Sequence, residues 1–292
     1  MASLVYHAGA LGDFITTLPA LRVWRARRPG ERIVLLGKPA YASLGGKDAP
    51  YDETWDVESA RFAPLFSQDS APLADLAARF APFSSALIFA LATSPLAANL
   101  SLIGLAEILR QDPFPSGRVH IVDYHLSLFP DLTLPEEHGV PRIESEGADV
   151  PVPADTVALH PGSGSREKNW PFPRFLELSR NLESEGRTVA WIIGPAEERV
   201  ALPECARAWR SLSLPALASA LARCRLFVGN DSGIAHLAAA AGCPTIALFG
   251  NTDPVVWAPR GRSVRIVRGR EGRVGAIGVE DVLEECRAVL ES

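Results

Sequence analysis

Cysteine is scarce in this chain and never clustered. Its four cysteines among 292 residues, Cys205, Cys224, Cys243 and Cys286, form no CxxC pair. That excludes a zinc knuckle, a CxxC redox motif and a disulfide-stapled miniprotein, and it suits a reducing cytosol. Positive charge is not in excess either, with 29 Lys+Arg against 34 Asp+Glu, a net charge of -5 and a pI of about 5.7. No global footprint for nucleic acid follows, so any anion must be held locally. MASLVYHAGALGD lacks a basic region followed by a long apolar one and reads as a first strand, not an export signal. One uncharged stretch, Phe80 to Ala106, is long enough to cross a bilayer. Pro82, Pro95, Asn99, Gly104 and several serines break it into a strand, SALIFALAT, and a helical LAANLSLIGLAEILR that starts after Ser94-Pro95.

What is present is the composition of a folded globular protein: 47% hydrophobic, 22% charged, 8% aromatic. The length implies two domains. Leu4 to Tyr6 forms a short apolar run, followed by the small-residue loop HAGALGD, a helical FITTLPALRVWRARRPG and the run RIVLLG. TVALHPGSGS, helical PRFLELSRNLESEG and TVAWIIG repeat that outline. Strands alternating with helices imply parallel βαβ units, hence an α/β class of two doubly wound halves. The Pro-, Gly- and acid-rich segment from about Pro130 to Pro153 is the linker, giving domains 1–145 and 146–292. Ligands of doubly wound sheets bind beyond the carboxyl ends of the strands, so the loops after strands hold the candidates.

Three such loops carry chemistry. In HAGALGD, Gly9 and Gly12 allow a tight turn and Asp13 falls at a helix N-terminus, where it serves as a helix cap or as a general base on a hydroxyl. In HPGSGSREKNWP, Gly162, Ser163 and Gly164 offer N–H groups and a hydroxyl to an anion, and Lys168 adds positive charge. A Gly-rich turn with a surface lysine is the plainer reading, and the loop is neither a Walker A nor a GxGxxG motif. In LFVGNDSGIAHLAAAAGCPTIALFGNTDP, a strand ends at Gly229, the cap-type residues Asn230, Asp231 and Ser232 follow, and a helix runs from Gly233 to Ala241. Gly233 leaves room at that helix N-terminus for a diphosphate, and His236 in its first turn is a neutral hydrogen-bond partner. The plainer alternative makes Asp231 and Ser232 caps and His236 a packing residue.

With these blocks in view, the sequence resembles the family 9 glycosyltransferases, the bacterial heptosyltransferases of the lipopolysaccharide inner core. The resemblance rests on GALGDFITTLPALRVWRARRPGERIVLLGKP, LHPGSGSREKNWPFPRFLEL and NDSGIAHLAAAAGCPTIALFGNTDPVVWAP, in that order, roughly a third of the chain. It implies a GT-B architecture, two Rossmann-like domains facing across a cleft, acceptor on the N-terminal side and nucleotide-sugar on the C-terminal side. By motif position it implies Asp13 as catalytic base. Ser163, Gly164 and Lys168 are implied at the nucleotide phosphates and ribose, Asp231, Ser232, Gly233 and His236 at the diphosphate-sugar, and Glu197 or its neighbour Glu198 at the ribose hydroxyls. His7 and Gly12 fall on the acceptor side, and His7 stands where many relatives carry Arg or Lys.

The implied reaction is inverting transfer of a heptose-like sugar from an ADP-heptose-like donor to a glycan or glycolipid acceptor, with no cofactor and no metal; the sequence has no DxD triplet. The implied place is the cytoplasm, with a peripheral contact at the inner membrane left open and no nucleic acid partner. A nucleotide-sugar-binding protein without transfer activity and a GT-B-like sugar-nucleotide epimerase remain as alternatives.

Overall fold

Runs such as LVY, IVLL and ALIF are apolar at consecutive positions, the mark of strands covered on both faces. They fold accordingly. A computed structural model describes all residues except 70, 132–138, 145–149, 195–196, 198–200, 204–205 and 292. Two units emerge, Met1–Gly139 and Val140–Ser292.

In the first unit the strands are β1 (Ala2–His7), β2 (Arg32–Gly37), β3 (Glu53–Asp56), β4 (Phe83–Phe89) and β5 (Glu107–Gln111). All pair in parallel, in the order β3-β2-β1-β4-β5. The helices are α1 (Leu11–Ala26), α2 (Pro39–Ala42), α3 (Ala74–Phe80), α4 (Leu96–Leu102) and α5 (Ile121–Leu126). The α1 helix is buried from Phe14 through Leu21: Phe14 meets His7 of β1, and α5 packs against the helix. Trp24 pins it, donating to the Ser3 hydroxyl at 2.8 Å while the Arg28 guanidinium lies 3.2 Å over its ring.

The uncharged stretch divides differently from the sequence reading. Its strand half is β4, but the helix stops at Leu102 instead of running through Arg110. Gly104, at φ +107, turns the chain, and Glu107–Gln111 pairs with β4 as the edge strand β5. Pairing to a sheet outweighed the helical spacing of EILR. No helix among the described residues is long and apolar enough to cross a membrane.

The second unit holds β6 (Thr156–His160), β7 (Thr188–Ile193), β8 (Arg207–Arg210), β9 (Leu226–Asn230), β10 (Thr245–Phe249) and β11 (Val264–Arg268). Their order is β11-β10-β9-β6-β7-β8, again all parallel. The helices are α6 (Phe172–Ser184), α7 (Leu214–Leu221), α8 (Gly233–Ala240), α9 (Pro254–Trp257) and α10 (Val279–Leu290). On one face α6 and α10 bury Phe175, Leu178, Leu283 and Cys286 against Trp191 and Val228. Burial pushes the Cys224 and Cys286 thiols up to about 12, so neither is a reactive thiolate. Cys205 lies outside the described residues.

In both sheets the strand order reverses between two neighbours, β1 and β4 in the first, β6 and β9 in the second. Crevices that receive ligands form beyond the carboxyl ends of such pairs.

Candidate functional site

The second unit gathers charge at its reversal point. There β6 ends at His160 and β9 at Asn230. Asn230 is fully buried: its Nδ2 donates to the Pro161 carbonyl at 2.8 Å, and its Oδ1 accepts the Trp170 N–H at 2.8 Å. One amide thereby fastens the 160–170 loop to the end of β9.

Asp231 follows, 6% exposed, and its Oδ2 accepts from Lys168 Nζ at 2.8 Å and from Thr252 Oγ1 at 2.7 Å. Three loops, after β6, β9 and β10, converge on that single oxygen. A buried carboxylate requires such partners, because an unpaired charge at that depth costs several kcal/mol. Reading Asn230, Asp231 and Ser232 together as caps therefore needs correction. Only Ser232 caps α8, accepting the Ala235 N–H at 3.4 Å, because Asn230 is still strand and Asp231 faces Lys168. Gly233 is the first residue of α8, and His236 sits within it, buried at 8% exposure.

The loop after β6 closes on itself. Ser163 Oγ lies 2.6 Å from both the Ser165 carbonyl and Asn169 Oδ1 and accepts the Ser165 N–H at 3.2 Å. Gly164 is exposed, with no atom within 4 Å of where a β-carbon would stand. Gly162 is buried against Glu197, and a β-carbon there would collide with the Glu197 carboxylate. Glu197 Oε2 lies 3.8 Å from His160 Nε2 and accepts the Gly194 N–H at 3.1 Å. Both contacts, His160 first, hold its carboxyl below the usual range. Glu198, the other candidate at this position, lies outside the described residues.

The first unit differs in character. Asp13 is the third residue of α1, and its Oδ2 accepts the Ala10 N–H at 3.0 Å, half of a capping box. Beside it lies His7, 4% exposed, between the rings of Phe14 and Phe89 with centroids at 5.5 and 6.1 Å. His7 Cε1 and Asp13 Oδ2 are each 3.1 Å from the point where a β-carbon on Gly9 would stand. Burial, with smaller contributions from His125 and Lys38, lowers the His7 pKa to about 3. Burial alone lowers that of His125 to about 4. Its Nδ1 is 3.0 Å from Gln111 Oε1. Gly12 is the second residue of α1 and half-buried.

Sequence reasoning missed Asn230 as a fastener, Thr252, His160 and the Gly162–Glu197 packing. A usable signal existed for three of them: each is a polar residue at or just past the end of an apolar strand of a doubly wound sheet. Among the described residues, no three His, Cys, Asp or Glu side chains are grouped as metal ligands.

The model of glycosyltransferase family 9 (heptosyltransferase) matches residues 123–285. Lipopolysaccharide heptosyltransferase 1 of Pseudomonas aeruginosa is 36% identical over 156 residues, 49% of this chain and 43% of that protein. The matched stretch thus spans less than half the length of this curated relative. A glycosyl transferase family 9 structure from Veillonella parvula superposes with a TM-score of 0.81 at 18% identity, covering 100% of this chain and 98% of the other. The E. coli ADP-heptose lipopolysaccharide heptosyltransferase II does so with a TM-score of 0.81 at 20% identity, covering 100% and 99%. At such identities the likeness establishes the fold, two Rossmann-like parallel sheets of the GT-B class.

Proposed function

Because the chain belongs to glycosyltransferase family 9, we propose that it transfers a heptose-like sugar from an ADP-heptose-like donor to a hydroxyl of a lipopolysaccharide-core-like glycan or glycolipid, with inversion. The observation that carries this reading is the convergence of Lys168, Asp231 and Thr252 next to the N-terminus of α8, at the strand-order reversal of the second sheet. A cation held by a buried carboxylate beside a helix N-terminus suits a diphosphate leaving group.

In this mechanism Asp13 takes the proton from the acceptor hydroxyl, whose oxygen attacks the anomeric carbon opposite the diphosphate. The carbon–oxygen bond to the diphosphate breaks, and its electron pair leaves with the nucleotide. Lys168 and the N–H groups of Ser232 and Gly233 stabilise the charge that builds there. Glu197, ionised, accepts the ribose hydroxyls. Residues 146–292 thus serve the donor and 1–145 the acceptor, with His7 and Gly12 on the acceptor side. The reading places the enzyme in the cytoplasm.

Thermal shift with ADP, GDP and UDP at equal concentration tests the donor half. ADP should stabilise most, by about 2.7 kcal/mol at a hundredfold excess over Kd. Lys168→Ala should weaken ADP binding by roughly 1–3 kcal/mol in calorimetry. A Lys168→Ala protein with unchanged affinity, or no preference for ADP, would sink the reading. Incubation with ADP-heptose and a lipopolysaccharide-core acceptor tests transfer, which should persist in EDTA. Binding without turnover would leave a nucleotide-sugar-binding protein.

A further inference from the structure

Three adjacent strands of the first sheet, β1, β4 and β5, end in His7, Phe89 and Gln111. Helix α5 lays His125 against that row, edge-on to Phe89 with ring centroids 5.0 Å apart. Phe89 also meets His7, at 6.1 Å, and His125 is near enough to His7 to depress its pKa. Both imidazoles are buried and neutral at pH 7.

Their surroundings fix where each carries its proton. Gln111 Nε2 donates to the Tyr124 carbonyl at 2.6 Å, which turns Gln111 Oε1 toward His125 Nδ1, 3.0 Å away. An amide oxygen only accepts, so His125 bears its proton on Nδ1 and a lone pair on Nε2. His7 is the reverse. Its Nδ1 is enclosed without a partner, and an enclosed N–H lacking an acceptor is rarer than an enclosed lone pair lacking a donor, so its proton sits on Nε2. Neither Nε2 is enclosed, and neither has a hydrogen bond among the described residues. The fold thus presents one donor and one acceptor, both uncharged, beside the same phenyl ring.

A hydroxyl donates and accepts, whereas an ionised carboxylate only accepts. At His125 Nε2 an anion would face a lone pair. Asp13 adds like charge: its Oδ2 and His7 Cε1 are each 3.1 Å from the point where a β-carbon on Gly9 would stand. The neighbouring cations do not offset this. Lys38 follows β2, on the far side of β1 from β4 and β5, and lies over the Tyr41 ring, 5.3 Å from its centroid. Arg110 is tied to Asp112 at 3.1 Å and to the Ala90 carbonyl at 2.9 Å.

We infer that His7 and His125 form a hydroxyl-reading pair, in which Nε2–H of His7 donates to, and Nε2 of His125 accepts from, neighbouring hydroxyls of one neutral sugar. That this sugar is the acceptor rests on the proposed transfer. Given that reading, the part of the acceptor beside its reacting hydroxyl carries no carboxylate or phosphate.

NMR of the full chain with nitrogen-15 in its histidine rings tests the pair at pH 7. His125 should show a protonated Nδ1 and His7 a protonated Nε2. Methyl glucoside should shift both Nε2 signals, and the matching glucuronide should not. The other protonation at His125, no shift, or an equal shift with the glucuronide overturns the inference. Transfer assays with ADP-heptose and a lipopolysaccharide-core acceptor add a second readout. His125→Asn keeps a side-chain donor facing Gln111 but loses Nε2, so the acceptor KM should rise by about two- to tenfold while kcat and ADP affinity hold. His125→Gln sets an amide oxygen near the place of Nε2 and should recover the KM even if the lost Gln111 contact lowers the melting temperature. A packing role predicts the opposite order, Asn milder than Gln, and that order overturns the inference, as does a His125→Asn protein with the wild-type acceptor KM. Shifted Nε2 signals without transfer overturn the proposed function and leave the pair standing. Transfer without shifts does the converse.

Discussion

The two sheets reverse strand order at equivalent places, yet what they hold there is opposite in kind. Beyond β6 and β9, carboxylates are buried with partners: Asp231 with Lys168 and Thr252, Glu197 with the Gly194 N–H. Beyond β1 and β4, burial instead keeps His7 and His125 neutral, among Phe14 and Phe89, and leaves Asp13 as the carboxylate of the loop. Topology fixes where a ligand sits, and the loop residues fix what it is. A site that holds a lysine beside a helix N-terminus suits an anion. A site of neutral imidazoles and aromatic edges around one carboxylate suits a hydroxyl that must lose a proton.

That contrast breaks most visibly at Asp13. If it is the general base, Asp13→Asn should lower kcat by roughly 10²–10⁴-fold while ADP affinity stays unchanged. The Ala10 N–H can still be accepted by the Asn oxygen, so the melting temperature should barely move. Near-normal transfer would return Asp13 to a capping role. The next largest effect belongs to the charged site. Gly162→Ala pushes a methyl into the Glu197 carboxylate and should cost about 1–3 kcal/mol of stability, along with donor affinity. In Glu197→Ala, where the obstruction is gone, the same change should cost little stability. An additive double-mutant cycle in denaturant titrations would refute the packing argument.

How much of this was legible depended on the range of the interaction. Both halves of the α/β alternation, and the loops that hold Asp13, Lys168 and Asp231, follow from local patterns of apolar runs, glycines and caps. The end of α4 was misread because EILR has helical spacing, and only its partner β4 decides that it is a strand. Lys168 was named for its charge, but its tie to Asp231 spans 63 residues, and no local pattern encodes it. Thr252 carries no local signal for the same reason, because its partner Asp231 lies 21 residues away. The resemblance only suggests roles for these residues, whereas geometry supplies their partners.

The first unit's site has its own signature, in pH. His7 and His125 titrate in the fold at about 3 and 4, below the ordinary value near 6.5. Above pH 6.5 they are neutral in both folded and unfolded chains and add no pH dependence. As pH falls, the unfolded chain takes up protons first, so stability declines by up to about 1.4 kcal/mol per pH unit for each histidine. The decline ends only near the folded values. His7 Nδ1 is buried without a hydrogen-bond partner, so a phenyl ring between Phe14 and Phe89 forfeits nothing there. His7→Phe should match wild type at pH 7 and exceed it by about 2 kcal/mol at pH 5 in urea titrations. Parallel curves for the two proteins would show that His7 is not held neutral.

The smallest effect sharpens the charged side. Thr252 touches Asp231, and Asp231 holds Lys168, so in the proposed reaction Thr252 positions the cation without meeting the donor. Thr252→Val keeps the shape and removes one hydrogen bond, worth about 0.5–1.5 kcal/mol. If that bond aims Lys168, ADP affinity should fall severalfold and the donor KM should rise by the same factor, while kcat changes little, since Asp13 is untouched. Thr252→Ser, which restores the hydroxyl, should recover the affinity even if the lost methyl lowers the melting temperature. A purely structural role predicts the reverse pattern: Val would be tolerated for its bulk, Ser would destabilise, and ADP binding would follow stability and not the hydroxyl.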